Sequence, residues 1–159
     1  MIIECLTPRD GERLRAIRLR SLEDAPDAFA TTWDEAAALG PESWARQLEQ
    51  LATFVASAEG VDLGIVRGAV DEQGPDAAYL ISMWVAPEAR RRGIGSALVD
   101  AVVQWARAQG LRRLLLDVAE ANTSAIAFYT SEGFVPTGRK GTLPESRTHI
   151  HEIQLGLSL

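Results

Sequence analysis

The residues from Met83 to Ser96 carry the densest chemistry in the chain. They run Met83-Trp84-Val85-Ala86-Pro87-Glu88-Ala89-Arg90-Arg91-Arg92-Gly93-Ile94-Gly95-Ser96, an apolar strand pattern, a short loop, and two glycines opening a helical pattern. The first-turn amides of a helix have no internal partner and point at whatever lies ahead of them. Together with the helix dipole they form an anion site suited to phosphate. Gly93 and Gly95 lack a Cβ, which lets a pyrophosphate approach the backbone, and Arg90, Arg91 and Arg92 add charge and forked donors. An arginine run by itself is usually a solvated face. The preceding strand, the glycine spacing and the following helix set this one apart. A dinucleotide-binding loop needs three glycines in the order G-x-G-x-x-G and an acid about 20 residues on; here the glycine pattern is wrong and three antiparallel strands precede the loop.

Local patterning supplies the elements that must position this loop. Ile2 to Leu6 reads as a strand, followed by a helix with Thr7 as N-cap, Pro8 in its first turn and Asp10 at its third position. That helix runs to about Glu23, where Asp24-Ala25-Pro26 breaks it, and a second helical piece begins at Pro41. Strands follow at Ala52–Ala58, Leu63–Val70 and Ala77–Val85, separated by turn signals at Glu59-Gly60 and Gln73-Gly74-Pro75. Ile94, Leu98, Ala101, Val102 and Trp105 share one face of a helix between Gly93 and Gly110. Leu114–Val118 reads as a buried strand, Thr123–Glu132 as a short helix ended by Gly133, and Phe134–Gly138 and Thr148–Leu157 as closing strands. Antiparallel strands precede a β-α-β-α unit, so the expected class is α+β with one central parallel crossover.

The chain has 159 residues, enough for one domain spanning 1–159, and carries a net charge of −6. Nucleic-acid binders usually present a basic stripe, which this balance disfavours. Cys5 is the only cysteine, so no internal disulfide forms, in keeping with a reducing cytoplasm. The first ten residues do not resemble a signal peptide. The longest nearly apolar run, Ala77 to Ala86, is about half what a bilayer span needs, so no membrane association is expected.

Arg90-x-x-Gly93-x-Gly95 resembles the signature of the GNAT family of N-acetyltransferases, whose pattern is Arg or Gln, two residues, Gly, one residue, Gly or Ala. The preceding Val85-x-Pro87-Glu88 fits, as does a second block: Asn122, then Ala127-Phe128-Tyr129, then Gly133-Phe134. The resemblance implies a mixed, mostly antiparallel sheet flanked by helices, with two central strands splayed to admit the coenzyme A arm. It implies acetyl-CoA as co-substrate, no metal, and an amine acceptor. It also implies roles: Val85 pairing its backbone with the pantetheine arm, Arg90 to Ser96 (Arg91, Arg92, Gly93, Ile94 and Gly95 included) holding the pyrophosphate, Asn122 bonding the arm from the far side, and Tyr129 protonating the departing thiolate. A thiol near ~8.5 and a tyrosine near ~10 can share a proton once water is excluded. Asn122 can equally cap the helix after it, and Tyr129 can be a half-buried aromatic under the sheet. Phe128 and Phe134 are assigned to the core.

Other roles stay open at this stage. An ammonium with pKa near ~10.4 is neutral about one time in a thousand at pH 7, which leaves roughly 4–5 kcal/mol for a base to remove. Ala77–Val85 contains no carboxylate. Glu120, or His149 and His151 on one face of the last strand, or a water chain, are the candidates. Phe29, Trp33, Tyr79 and Trp84 are candidates for the acceptor pocket, and each is equally a core or loop-anchoring aromatic. Family members often pair through C-terminal edge strands, so a homodimer is expected. The competing reading is a non-catalytic protein that binds acyl-CoA as a sensor or partner.

Overall fold

The computed structural model describes residues 1–74 and 76–159. In chain order the elements are β1 (Ile2–Cys5), α1 (Gly11–Asp24), α2 (Trp33–Ala37), α3 (Pro41–Gln50), β2 (Ala52–Ala58), β3 (Val61–Val70), β4 (Ala77–Val85), α4 (Ile94–Ala108), β5 (Arg113–Ala119), α5 (Thr123–Ser131), β6 (Val135–Thr142) and β7 (His151–Ser158). The seven strands form one sheet in the order β1-β2-β3-β4-β5-β7-β6. Every neighbouring pair is antiparallel except β4 and β5. This is the α+β class expected. The turn expected at Gln73-Gly74-Pro75 ends on Pro75, which lies outside the described residues.

Two elements differ from the expectation. The helix α2 was not foreseen, although Thr32 and Glu35 form a reciprocal capping box at its start, a spacing visible in the sequence. The last strand begins at His151 rather than Thr148. It lies between β5 and β6, so β6, not β7, is the edge. Gln154 and Leu155 of β7 are buried, whereas β6 is exposed throughout.

The helices divide between the two faces. A Cβ on Gly68 would lie 2.5 Å from the Trp105 ring, and one on Gly64 would lie 3.0 Å from Leu98. Those glycines let α4 settle directly on β3. Arg67, between them, points the other way and donates to Gln47 of α3 at 2.7 Å. The sheet thus lies between α4 on one face and α1 with α3 on the other. Leu98, Val102, Val55, Val66, Leu14 and Ile17 are fully buried in the joint core.

The feature that matters for function is a gap at the centre of the sheet. β4 and β5 are in register only from Ala77–Tyr79 against Arg113–Leu115. Beyond Tyr79, β4 stays with β3 while β5 stays with β7, through Ala119 opposite Glu152. A bulge accompanies the parting: Ile65 faces Trp84 and Arg67 faces Ile81, so β4 holds one extra residue in the interval. Ser82 lies there at φ +60°, which costs a non-glycine residue energy and needs local support. Arg67 supplies it by donating Nε to Ser82 Oγ at 2.8 Å.

Candidate active site

The splay opens into two cavities that meet. One, about 910 Å³, lies between the end of β4, the start of α4 and the face of α5. The other, about 740 Å³, lies between α1, the loop at 25–31, and the parted strands β4 and β5. Phe29, Met83, Asn122, Ala125 and Tyr129 border both, so the two spaces communicate there.

The first cavity contains most of the phosphate-site residues read from the sequence. Gly93 is the N-cap of α4 at φ +79°, and a Cβ there would meet nothing within 4 Å. Glycine is therefore set by backbone conformation, and open space lies ahead of it. Ala97 N–H donates to Gly93 C=O, the first bond of the helix, which leaves the amides of Ile94, Gly95 and Ser96 without helical partners. Free amides, a positive dipole end and room at Gly93 fit a pyrophosphate. The Ile94 side chain is buried, so only its amide is available.

Gly95 has a different reason from the one expected. A Cβ there would sit 3.1 Å from the Phe128 ring, so this glycine lets α5 lie against α4. Ser96 donates its hydroxyl to the Glu132 carboxylate, a second tie between those helices.

The three arginines are not equivalent. Arg90 donates Nε to the Val85 carbonyl at 3.0 Å and Nη2 to Asp24 Oδ2 at 3.0 Å. Arg91 lines the cavity, at φ +64°. Arg92 is exposed and does not border it. Val85 borders the cavity, and its carbonyl keeps a second lone pair beyond Arg90. Asn122 does cap α5, its Oδ1 accepting from Ala125 N–H at 3.1 Å, and it also borders both cavities.

Tyr129 sits at the junction. Its ring packs on Phe128 (centroids 5.2 Å) and edge-on to Phe134 (5.7 Å), and the residue is buried. Its hydroxyl has no hydrogen-bond partner among the described residues, yet it is not a sealed orphan; the single side-chain polar atom of that kind among them is Trp44 Nε1. Burial holds the phenol proton well beyond its ordinary range.

Of the acceptor candidates, Phe29 borders both cavities, with Arg18 stacked over its ring at 5.2 Å. Trp84 is buried on the first cavity, and Nε1 donates to Asp24 at 2.9 Å. Tyr79 accepts from Gln154 Nε2 at 3.1 Å and lies outside both linings, as does Trp33, which is exposed. Glu120, His149 and His151 also lie outside both linings. His149 precedes β7 and is not on the face of a strand with His151.

Five charged residues missed in the sequence line the second cavity: Arg18, Asp27, Arg67, Asp117 and Glu152. Burial raises the Glu152 carboxyl above its ordinary range, and the nearby Asp117 charge raises it further against an opposing pull from Arg147. Asp117 is reachable by solvent through the open cleft, yet enough protein surrounds it to raise its carboxyl, with Arg139 offsetting part. The visible signal was the acid at the centre of an apolar strand, Leu114-Leu115-Leu116-Asp117-Val118. The roof of this cavity is pinned by Arg147, which donates to the carbonyls of Pro26 (2.7 Å), Phe29 (2.8 Å) and Ala30 (2.7 Å).

A sheet parted at its one parallel pair, with the α4 N-terminus bordering the opening, is the arrangement that the resemblance to the acetyltransferases implied. Residues 14–134 match the family described as Acetyltransferase (GNAT) family. The chain belongs to the GNAT family of acetyltransferases.

Among relatives, it is 39% identical over 90 residues to human N-acetyltransferase 8, spanning 54% of this chain and 39% of that protein. It is 31% identical over 132 residues to a mycothiol acetyltransferase of Thermobispora bispora, 79% of this chain and 43% of that one. An aminoglycoside N(6')-acetyltransferase type 1 of Salmonella typhimurium is 30% identical over 99 residues, 58% and 68% of the two chains. A GNAT-family acetyltransferase structure from Streptococcus pneumoniae superimposes with TM-score 0.82 at 26% identity over 99% of both chains. A Salmonella typhimurium structure with its cofactor acetyl-CoA shares the fold at TM-score 0.78 and 17% identity, covering 100% of this chain and 94% of that one. Among the described residues no helix is long and apolar enough to cross a membrane, and no group of three or more His, Cys, Asp or Glu is arranged to hold a metal ion.

Proposed function

We propose that this protein transfers an acetyl group from acetyl-CoA directly to the primary amine of a small molecule or peptide. The observation that carries this reading is the meeting of two cavities at Tyr129: one bordered by unpaired α4 amides, the other by the carboxylates of Asp117 and Glu152. Acetyl-CoA, when bound, supplies the activated acetyl group. The amides of Ile94, Gly95 and Ser96, with Arg91, hold its pyrophosphate. Val85 and Asn122 border the path of its pantetheine arm.

The amine enters the second cavity. Glu152, supported by Asp117, takes the proton that an ammonium must lose, and its raised affinity for protons suits that task. As the amine nitrogen bonds to the acetyl carbon, the carbon–sulfur bond breaks. Tyr129 gives its hydroxyl proton to the leaving thiolate, and the second proton lost by the nitrogen restores the phenol, so that no buried tyrosinate, which desolvation disfavours, is left behind. Holding both reactants side by side supplies the proximity contribution.

Measurement of thiol release from acetyl-CoA with a panel of amines tests the reading. Amine-dependent release is expected. Tight acetyl-CoA binding with no release for any amine would favour an acyl-CoA-binding sensor. A cytoplasmic location is in keeping with the exposed single cysteine Cys5. A homodimer built on a C-terminal edge would have to use β6, whose Pro136, Arg139 and Lys140 blunt edge pairing.

A further inference from the structure

Two buried guanidinium groups border the second cavity, and among the described residues neither is paired with a carboxylate. Arg18 is 3% and Arg67 7% exposed, and both border the cavity. Arg67 spends Nε on Ser82 and Nη1 on Gln47, both neutral acceptors. Arg18 has a long contact to Ser21 Oγ at 3.4 Å and the Phe29 ring at 5.2 Å. Among the described residues, no acid lies within 4.0 Å of either, although Asp27, Asp117 and Glu152 border the same space. Removing a guanidinium from water without a counter-charge is costly, and two side by side repel each other. Burial pushes Arg67 down to about 9, with the Arg18 charge adding to the shift, and Arg18 to about 10. Both still carry their protons at neutral pH. An anion placed between them would supply the missing counter-charge.

We infer that Arg18 and Arg67 receive a carboxylate of the acceptor, so that the acceptor is a zwitterionic amine rather than a simple cation. The inference rests on the acetyl-transfer reading and adds the substrate class to it. The topology supports a polar acceptor with two ends. Arg18 of α1 and Arg67 of β3 stand on one side of the splay, while Asp117 of β5 and Glu152 of β7 stand on the other. A carboxylate on the arginine wall leaves the amine end facing the acidic wall, next to the junction at Tyr129. Guanidinium and carboxylate match as fork to fork, which fixes orientation as well as charge. The overall charge of −6 suggests attraction of cations, but the field inside this cavity is set by its own walls.

The test has two arms. In the first, thiol release from acetyl-CoA is followed with α-amino acids, with their carboxamides, and with the matching decarboxylated amines. The acids are expected to be better acceptors by about tenfold or more in kcat/KM, because their loss leaves two guanidinium groups unpaired. Equal or faster turnover of the carboxamides overturns the carboxylate site and leaves acetyl transfer standing. The second arm needs no turnover: the melting temperature of the protein saturated with coenzyme A is measured as each probe is added. A rise with the acids and none with the carboxamides supports the site even when no probe is acetylated, an outcome that would count against acetyl transfer alone. No acid-specific rise overturns it. Arg67→Gln and Arg18→Gln should erase the difference between acid and carboxamide, and a folded double variant that keeps it would sink the assignment. The wild-type comparison stands if the variants fail to fold.

Discussion

Asp24 Oδ2 lies 3.0 Å from Arg90 Nη2, and the same oxygen accepts the Trp84 indole N–H at 2.9 Å. One carboxylate at the end of α1 therefore ties down both the end of β4 and the first of the three arginines that precede α4. Arg90 thus has its Nε and Nη2 committed to the protein's own acceptors.

Asp24→Ala leaves the buried Trp84 N–H without its acceptor and should cost about 1–3 kcal/mol of stability. Asp24→Asn retains an acceptor oxygen and should recover most of that loss. Urea titrations of the two variants check the difference. Equal destabilisation would mean that the Arg90 charge pair, rather than the indole bond, carries the contact.

Tyr129→Phe keeps the ring against Phe128 and Phe134 while removing the proton donor. Loss of a general acid should lower kcat by about 10²–10⁴-fold. Acetyl-CoA affinity should stay within a few-fold, because the phosphate contacts lie elsewhere. Near-normal turnover where chemistry limits the rate would remove Tyr129 from the mechanism.

The two glycines of the loop should respond differently. Gly93→Ala places a side chain at φ +79°, costing about 1–2 kcal/mol, and puts a methyl in open space facing the phosphate position. Acetyl-CoA affinity should fall by about tenfold or more, some 1.4 kcal/mol. Gly95→Ala drives a methyl against Phe128 at 3.1 Å and should cost about 1–3 kcal/mol of stability with a smaller effect on affinity. Calorimetric titration beside melting curves separates the two, and unchanged affinity in folded Gly93→Ala counts against the phosphate assignment.

Glu152 and Asp117 both bind protons more tightly in the folded chain than in the ordinary carboxylate range. In the window between those values the folded state holds protons that the unfolded state has released, so stability falls as pH rises through it. Glu152→Gln should therefore stabilise the protein above the window, and the gain should vanish below it. If Glu152 is the base, kcat/KM of the wild type rises through a midpoint above the ordinary range, belonging to the pair jointly. That limb should be lost in the variant. Melting curves and rates across pH read both effects, and a variant with an unchanged rate profile would exclude Glu152 as the base.

Much of the geometry of the proposed phosphate site was legible in the sequence because its parts are local. A glycine at a helix N-cap and the free amides after it depend on residues three or four apart, and Gly93, Ile94, Gly95 and Ser96 are adjacent. So did the strands Ala52–Ala58 and Ala77–Val85, whose apolar runs between turn signals set both ends. What the tertiary structure alone decided depends on contacts between distant segments. Arg90 is turned to Asp24, 66 residues away, so the arginine run does not act as three equal phosphate ligands. Gly95 answers to Phe128, on another helix. Asp117 reaches the second cavity only because β5 parts from β4. Arg18 and Arg67, unremarked in a surface-rich sequence, become buried neighbours only when α1 packs on β3. Burial gives a charge its meaning, and burial is a property of packing rather than of residue order.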